Sequence, residues 1–347
     1  MSNVILLQSY SSPSPLSADH GVLEILQKHY PNMKVVFEKT PNIFVFGIRK
    51  ILKYALKSNL ISKKGDVIFG WGGDLCLYSW LFGKLLRKKR LYFSQNLIIR
   101  SDGKHDGVKN RIRYLLYKKA LHSKNFMTTV NAPQLVDFYA EMFSCNKNRF
   151  VVTYDNRATD LEEQNEKAEN IGEPYVFAGG VAGRDLDTFV KVVKLLPQIN
   201  FKCVFPKNML ISGMEELKNL EVFSDIPEKE FYRIMNGATI CCIPLKSKEP
   251  CGLYTMQHAV LKGLPIVSTD TWSMRTIIPN DNCGYLLPMR DAKAMAEKVS
   301  LLMDNEDLRN TVIANAKKNF SKFEPHNVGK QLCDAIDDFV KEQNFAH

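Results

Sequence analysis

The chain contains no run of 18 or more apolar residues, so it is not expected to cross a membrane as a helix. Cysteine is present but never in a C-x-x-C spacing. The eight thiols (Cys76, Cys145, Cys203, Cys241, Cys242, Cys251, Cys283 and Cys333) fall mostly within apolar runs. That argues against a disulfide or zinc framework and for buried free thiols in a reducing cytoplasm. The opening residues, MSNVILLQSYSSPSP, lack a basic n-region and carry an apolar stretch of only four residues. They read as a first buried strand, not a signal peptide. No short-period repeat and no low-complexity segment occurs. No D-x-D flanked by strands is found, so no metal is expected. IDDF (336–339) reads as the solvated face of a terminal helix.

What is present is a soluble globular composition: 347 residues, 45% hydrophobic and 24% charged, enough for two domains of about 150 residues. The net charge of +10 is uneven. Residues 1–150 hold 24 Lys+Arg and 9 Asp+Glu, or +15, and the remainder holds 23 and 28, or −5. An anionic partner is therefore expected on the N-terminal half.

Strand and helix patterns alternate along the chain. VILLQ (4–8), MKVVF (33–37), DVIFGW (66–71), KRLYFSQ (89–95), FMTTV (126–130) and RFVVTY (149–154) are short, β-branched or aromatic, and bounded by turn residues. Amphipathic stretches at 43–60, 74–87, 107–122 and 132–142 separate them. Residues 155–173 are polar and acidic with no apolar face, which suits a linker. The alternation then restarts with PYVFAGG (174–180) and continues to amphipathic helices at 306–320 and 326–342. Two successive doubly wound α/β units facing a central cleft are expected. The divisions are 1–155, a linker 156–173, 174–325, and a C-terminal helix 326–347 that is a candidate to cross back to the first domain.

Ligands of open α/β sheets bind beyond the carboxyl ends of strands. Two loops of the second domain suit an anion there. AGGVAGRD (178–185) offers Gly180 for close backbone approach and Arg184 as a fixed positive fork at a helix start. Its spacing is not G-x-G-x-x-G, so the dinucleotide fingerprint fails. PLKSKEPCG (244–252) carries Lys246, Lys248 and Glu249 ahead of the amides of Gly252, Leu253 and Tyr254. A carboxylate beside amides and lysines suits a polyol that bears a diphosphate. Taken singly, each loop also reads as an ordinary polar turn.

EPCGLYTMQHAVLKGLPIVSTD (249–270) resembles the donor-site signature of retaining GT-B glycosyltransferases of the glycosyl transferases group 1 type. That signature is a Glu, seven residues, a second Glu, then Ala, Gly-x-Pro and a strand. The resemblance spans about residues 174–340 and is sharpest over 244–292. It implies the GT-B architecture and transfer from a nucleotide diphosphate-sugar with retention of configuration. It also implies that Glu249 bonds the donor sugar, and that Gly252 and Leu253 offer amides to sugar and phosphate. Gln257 stands where the second Glu holds the ribose hydroxyls. An amide still accepts through its oxygen and donates through nitrogen, so binding survives the exchange, about 1 kcal/mol weaker per lost charge-assisted bond. Read as a ligand contact or as a solvent-facing helix residue, Gln257 is expected to tolerate Glu without loss of folding.

In the first domain, residues 84–124 hold 13 Lys+Arg against 2 Asp+Glu. Arg87, Lys88, Lys89, Arg111, Arg113, Lys118 and Lys119 with interleaved apolar residues read as a basic amphipathic surface for anionic lipid. A helix with solvated lysines over a core face is the plainer alternative. No nucleic-acid-binding module is visible, and nucleic acid is not an expected partner. SDGKHD (101–106) brings Asp102, His105 and Asp106 to a strand end. His105 and Asp106 are the candidate catalytic groups beside Glu249. GWGGD (70–74) is a further loop candidate.

Taken together, the expectation is a metal-independent enzyme without cofactor. It would move a sugar to a glycan or lipid-linked saccharide at the cytoplasmic membrane face, in surface polysaccharide or glycoconjugate synthesis. The alternative is a catalytically weak GT-B domain serving as a partner or scaffold subunit.

Overall fold

Short β-branched and aromatic runs become two six-stranded sheets in the computed structural model. It describes residues 4–8, 18–36, 48–99, 108–156, 173–248 and 250–344. The chain divides into two compact units, 1–156 with 323–347, and 157–322. The expected linker therefore lies almost wholly outside the described residues.

The first unit runs β1 (Val4–Gln8), α1 (Ala18–His29), β2 (Lys34–Val36), α2 (Ile48–Ile61), β3 (Val67–Trp71), α3 (Gly73–Leu85), β4 (Leu91–Ser94), α4 (Val108–Leu121), β5 (Phe126–Val130), α5 (Gln134–Phe143) and β6 (Phe150–Val152). The second runs β7 (Tyr175–Gly179), α6 (Leu186–Leu195), β8 (Asn200–Val204), β9 (Leu220–Phe223), α7 (Glu228–Asn236), β10 (Ile240–Ile243), α8 (Leu253–Lys262), β11 (Ile266–Thr269), β12 (Tyr285–Leu287), α9 (Ala292–Asp304) and α10 (Glu306–Lys318). Helix α11 (Pro325–Asn344) follows and belongs to the first unit.

Both sheets are parallel, in the orders β2-β1-β3-β4-β5-β6 and β12-β11-β10-β7-β8-β9. Buried central strands such as VIFGW and ICCI are apolar on both faces because helices cover each side. The order reverses between β1 and β3 in one sheet and between β7 and β10 in the other. Chain leaving those strand ends diverges to opposite sides, which opens a crevice for a ligand.

Two glycines decide where α11 goes. A Cβ on Gly21 of α1 would lie 2.8 Å from Cβ of Pro325, and one on Gly329 would lie 2.8 Å from Cβ of Ile25. Their absence lets the helices touch along their backbones. Tyr30 Oη then donates to Asp337 Oδ1 (2.8 Å), and His29 Nε2 meets Oδ2 of the same carboxyl at 2.8 Å. The sequence pattern did not single out α1, since an interior glycine weakens a helical reading by about 1 kcal/mol. Packing against α11 outweighs that cost.

Candidate functional site

At the second sheet's reversal, the two loops flagged in the sequence emerge side by side. The loop after β7 turns through Gly180, whose φ of 108° lies in a region that favours glycine. A Cβ there would sit 2.4 Å from Arg184 Nη2. The loop after β10 ends at Gly252 (φ 78°), where a Cβ would meet Met274 Cε at 2.8 Å and Arg184 Nη1 at 3.1 Å. Short backbone bonds stitch the loops together. Asp185 N donates to Pro244 O (3.0 Å), Lys246 N donates to Gly183 O (2.8 Å), and Arg184 and Leu245 form an antiparallel bridge.

Arg184 lies inside this stitch and is only 3% exposed. Nε donates to Gly179 O (2.7 Å), Nη1 to Ala182 O (2.9 Å) and Nη2 to Thr255 Oγ1 (2.9 Å). All three acceptors are neutral, and among the described residues no carboxylate pairs with the guanidinium. Burial lowers its pKa below the ordinary value, yet a guanidinium remains charged. The loops thus enclose a buried positive charge that no described carboxylate compensates. Asp185 caps α6, accepting from Thr188 N (3.1 Å) and Thr188 Oγ1 (2.8 Å), so it is committed to the helix start.

Helix α8 begins beside that charge. Its N-cap is Gly252, no side chain caps it, and its first turn holds no acidic residue. Its macrodipole favours an anion. Lys246 and Lys248 are exposed. Lys248 Nζ lies 5.7 Å from the centroid of the Trp272 ring, on the loop after β11. Leu253 is half-buried and Tyr254 is 49% exposed. Gly180, Arg184, Lys246, Lys248, Gly252, Leu253 and Tyr254 are therefore gathered on one edge of one sheet. Glu249, His105 and Asp106 lie outside the described residues, as does Asp102.

Gln257 corrects one expectation. It is 3% exposed, so it is not a solvent-facing helix residue. A carboxylate introduced there would be desolvated, and its pKa would rise. Gln257→Glu is accordingly expected to lower the melting temperature at neutral pH. The loss should shrink as pH falls and the acid is protonated. Thermal melts at several pH values check this; an unchanged melting temperature at pH 8 would contradict the burial argument.

His258 went unnoticed in the sequence. It stacks on Tyr232 of α7 (centroids 4.4 Å apart), and Nε2 meets Asn236 Oδ1 at 2.8 Å. Burial, with a smaller effect from Lys262, lowers its pKa from 6.5 to about 3. Tyr232 has its phenol pKa raised, first by burial and then by the Tyr254 hydroxyl and Glu228. The α7–α8 contact thus reaches the first turn of α8. Below pH 6.5 the unfolded chain takes up a proton that folded His258 refuses until about pH 3. Stability should fall across that window, at up to about 1.4 kcal/mol per pH unit for one proton. His258→Gln should flatten the urea midpoint between pH 7 and pH 4, and an unaltered slope would exclude His258 as its source.

In the first unit the basic surface is only partly free. Arg87, Lys88, Lys89, Arg111 and Lys119 are exposed, and Lys118 is half-buried. Arg113 is turned elsewhere: Nε donates to Asp74 Oδ1 (2.6 Å) and the guanidinium lies 5.6 Å over the Tyr117 ring. Asp74, the last residue of GWGGD, lies in the first turn of α3 rather than on a loop and is thereby tied to α4. Val108, Ile112 and Leu115, at helical spacing, are 75%, 48% and 49% exposed. Among the described residues no helix is long and apolar enough to cross a membrane.

Residues 162–319 match the family model described as glycosyl transferases group 1, a span that nearly coincides with the second unit. Among curated relatives, a capsular polysaccharide biosynthesis glycosyltransferase, CapM, of Staphylococcus aureus is 29% identical over 96 residues, 27% of this chain and 25% of that protein. A phosphatidyl-myo-inositol mannosyltransferase of Mycobacterium leprae is 26% identical over 98 residues, 28% of this chain. The chain thus matches about a quarter of the length of these relatives. Among solved structures, Anabaena HepE in complex with UDP and glucose has a TM-score of 0.67 at 12% identity, covering 97% of this chain and 100% of that one. A glycosyltransferase from Rickettsia africae gives 0.67 at 12%, covering 98% and 99%. Sucrose-phosphate synthase from Thermosynechococcus elongatus gives 0.64 at 15%, covering the whole of both chains. These likenesses establish the GT-B-like fold.

Proposed function

We propose that this chain transfers a sugar from a nucleotide diphosphate-sugar to a saccharide or lipid-linked saccharide, in surface polysaccharide or glycoconjugate synthesis. One observation carries the reading: a buried Arg184, with no carboxylate partner among the described residues, lies beside the start of α8, which no side chain caps, at the reversal of a sheet inside the segment matching the family model. Positive charge fixed at a strand-order reversal suits a leaving diphosphate, which needs stabilisation as it departs.

In this reading Arg184, Lys246, Lys248 and the first-turn amides of α8 hold the diphosphate. Leu253, Tyr254 and Gln257 line the nucleoside side, and Gly180 lets backbone approach. Glu249 accepts hydroxyls of the transferred sugar, and His105 and Asp106 act on the acceptor side. Neutralisation by guanidinium, ammonium and helix dipole requires no metal, and retention of configuration follows the family resemblance. Both the CapM relative and the mannosyltransferases act in glycan or glycolipid synthesis by name, which favours that class of acceptor.

A thermal-shift panel of UDP-, GDP-, CMP- and ADP-linked sugars tests the proposal. One class should stabilise the protein by RT ln(1 + [L]/Kd), about 2.7 kcal/mol at a hundredfold excess over Kd. A flat response to the whole panel would overturn it in favour of a scaffold role.

The same reading seats the first unit on an anionic membrane at the cytoplasmic face. Its support is the exposed stripe of Val108, Ile112 and Leu115 flanked by Arg111 and Lys119. Each basic residue near anionic lipid contributes about 1 kcal/mol. Co-sedimentation with phosphatidylserine vesicles should be strong at low salt and weaken as salt rises. Binding that ignores salt would contradict this account.

A further inference from the structure

The second unit has a cavity at the edge of its sheet opposite the Arg184 loops. It opens at the amino ends of the adjacent strands β7, β10 and β11, with α10 as a wall. Its volume is about 350 Å³, within the range of small-ligand sites. Leu264 and Pro265, which lead into β11, form an apolar side together with Met303 of α9 and Ile313 of α10. Leu264 and Pro265 are buried, and Met303 and Ile313 are half-buried. Between α8 and Leu264 stands Gly263, whose φ of 76° favours glycine, so no side chain enters the space there.

Two charged side chains of α10 line the same cavity: Glu306 and, one turn on, Arg309. Arg309 is fixed in place. Its Nη1 donates to Leu302 O (2.7 Å) and Met303 O (2.8 Å), at the end of α9, where a cation suits the helix dipole. Nε and Nη2 keep three N–H bonds that no described residue accepts. Glu306 is exposed and makes no ion pair with Arg309 or any other described residue. A held guanidinium edge matches a carboxylate through two parallel bonds. The free carboxylate beside it accepts from an ammonium and repels a ligand that is only anionic. The guanidinium in turn repels a ligand that is only cationic. The apolar side receives a body that water solvates poorly. Carboxylate, ammonium and apolar side chain together describe a free α-amino acid.

We propose that this cavity binds an α-amino acid with an aliphatic or thioether side chain. Nε and Nη2 of Arg309 hold the carboxylate, Glu306 accepts from the ammonium, and Leu264, Pro265, Met303 and Ile313 surround the side chain. The site goes beyond the glycosyltransferase reading and does not depend on it. Helix α8 separates the two sites, with Gly252 at one end and Gly263 at the other. Its 10 residues span about 15 Å, too far for one small ligand to occupy both ends.

The test uses the full chain with labelled Ile, Leu and Met methyls, titrated by NMR with L-leucine and L-methionine. The Leu264, Met303 and Ile313 signals should move with a Kd below about 1 mM for at least one of the two. Isocaproate, which lacks the ammonium, and isoamylamine, which lacks the carboxylate, should each bind about tenfold or more weakly, as one lost bond between charged groups implies. Glu306→Gln should weaken the amino acid by the same factor and leave isocaproate unchanged. Arg309→Gln should remove binding of both. Glu306→Gln keeps the test usable if Arg309→Gln, which also gives up the bonds to α9, does not fold. Wild-type affinity for the amino acid in either folded variant overturns the site. So does isocaproate or isoamylamine binding as tightly as the amino acid, or a titration of the wild type that leaves these three methyl signals unmoved.

Discussion

Arg184→Met is expected to leave the second unit folded while weakening nucleotide diphosphate affinity by about 30- to 100-fold, or 2–3 kcal/mol. Two opposing terms hold the stability change down. Three hydrogen bonds to Gly179 O, Ala182 O and Thr255 Oγ1 are lost, worth about 0.5–1.5 kcal/mol each. Against that, a buried cation with no described carboxylate partner is removed, which relieves its desolvation. Affinity has no such compensation, because the charge is the attraction. Arg184→Lys should recover little, since one ammonium cannot serve a fork of three acceptors set around a planar guanidinium. Calorimetric titration with the nucleotide that succeeds in the thermal-shift panel gives the answer. Wild-type affinity in Arg184→Met would make Arg184 a strut between loops and nothing more.

Glu249→Ala is expected to reduce sugar transfer by about 10²- to 10⁴-fold, because hydrogen bonds to a charged acceptor are worth about 1.5–3 kcal/mol each and the proposed role supplies two. Affinity for the bare nucleoside diphosphate should change little, because those bonds go to the sugar. Product formation with the identified donor, paired with titration of the nucleotide alone, separates the two effects. Transfer at wild-type rate would show that the donor sugar lies elsewhere.

How far the sequence reaches can be judged residue by residue. The strands VILLQ and FMTTV coincide with β1 and β5 to the residue. A buried parallel strand is a short apolar run between turn residues, and both halves of that pattern are local. Helix α7 rests on equally local signals, Pro227 before it and Gly237 after it. Helix α1 was not, because Gly21 looks like a weakness until α11 is seen against it. The loop carrying Arg184 was legible as an anion site from its glycines and its position after a strand. Its geometry was not, because Thr255 lies 71 residues away and the bond joining them is a product of folding.

Gln257 and Gln95 show the same division more sharply. In the sequence Gln257 stands out only by its place in the donor-site signature and Gln95 not at all, and a glutamine is more often exposed than buried. Burial of Gln257 depends on which side of α8 meets the sheet. The orphaned oxygen of Gln95 depends on three strands lying in register. By itself the sequence determined the strand–helix alternation, the doubly wound class, the charge imbalance and the two glycine loops, because hydrophobic period, glycine and charge are properties of neighbouring residues. The tertiary structure alone decided that Arg184 is enclosed, that Arg113 belongs to Asp74, and which polar atoms are left without partners. Hydrogen bonds and burial are made between residues far apart in the chain, and only the packed sheets bring them together.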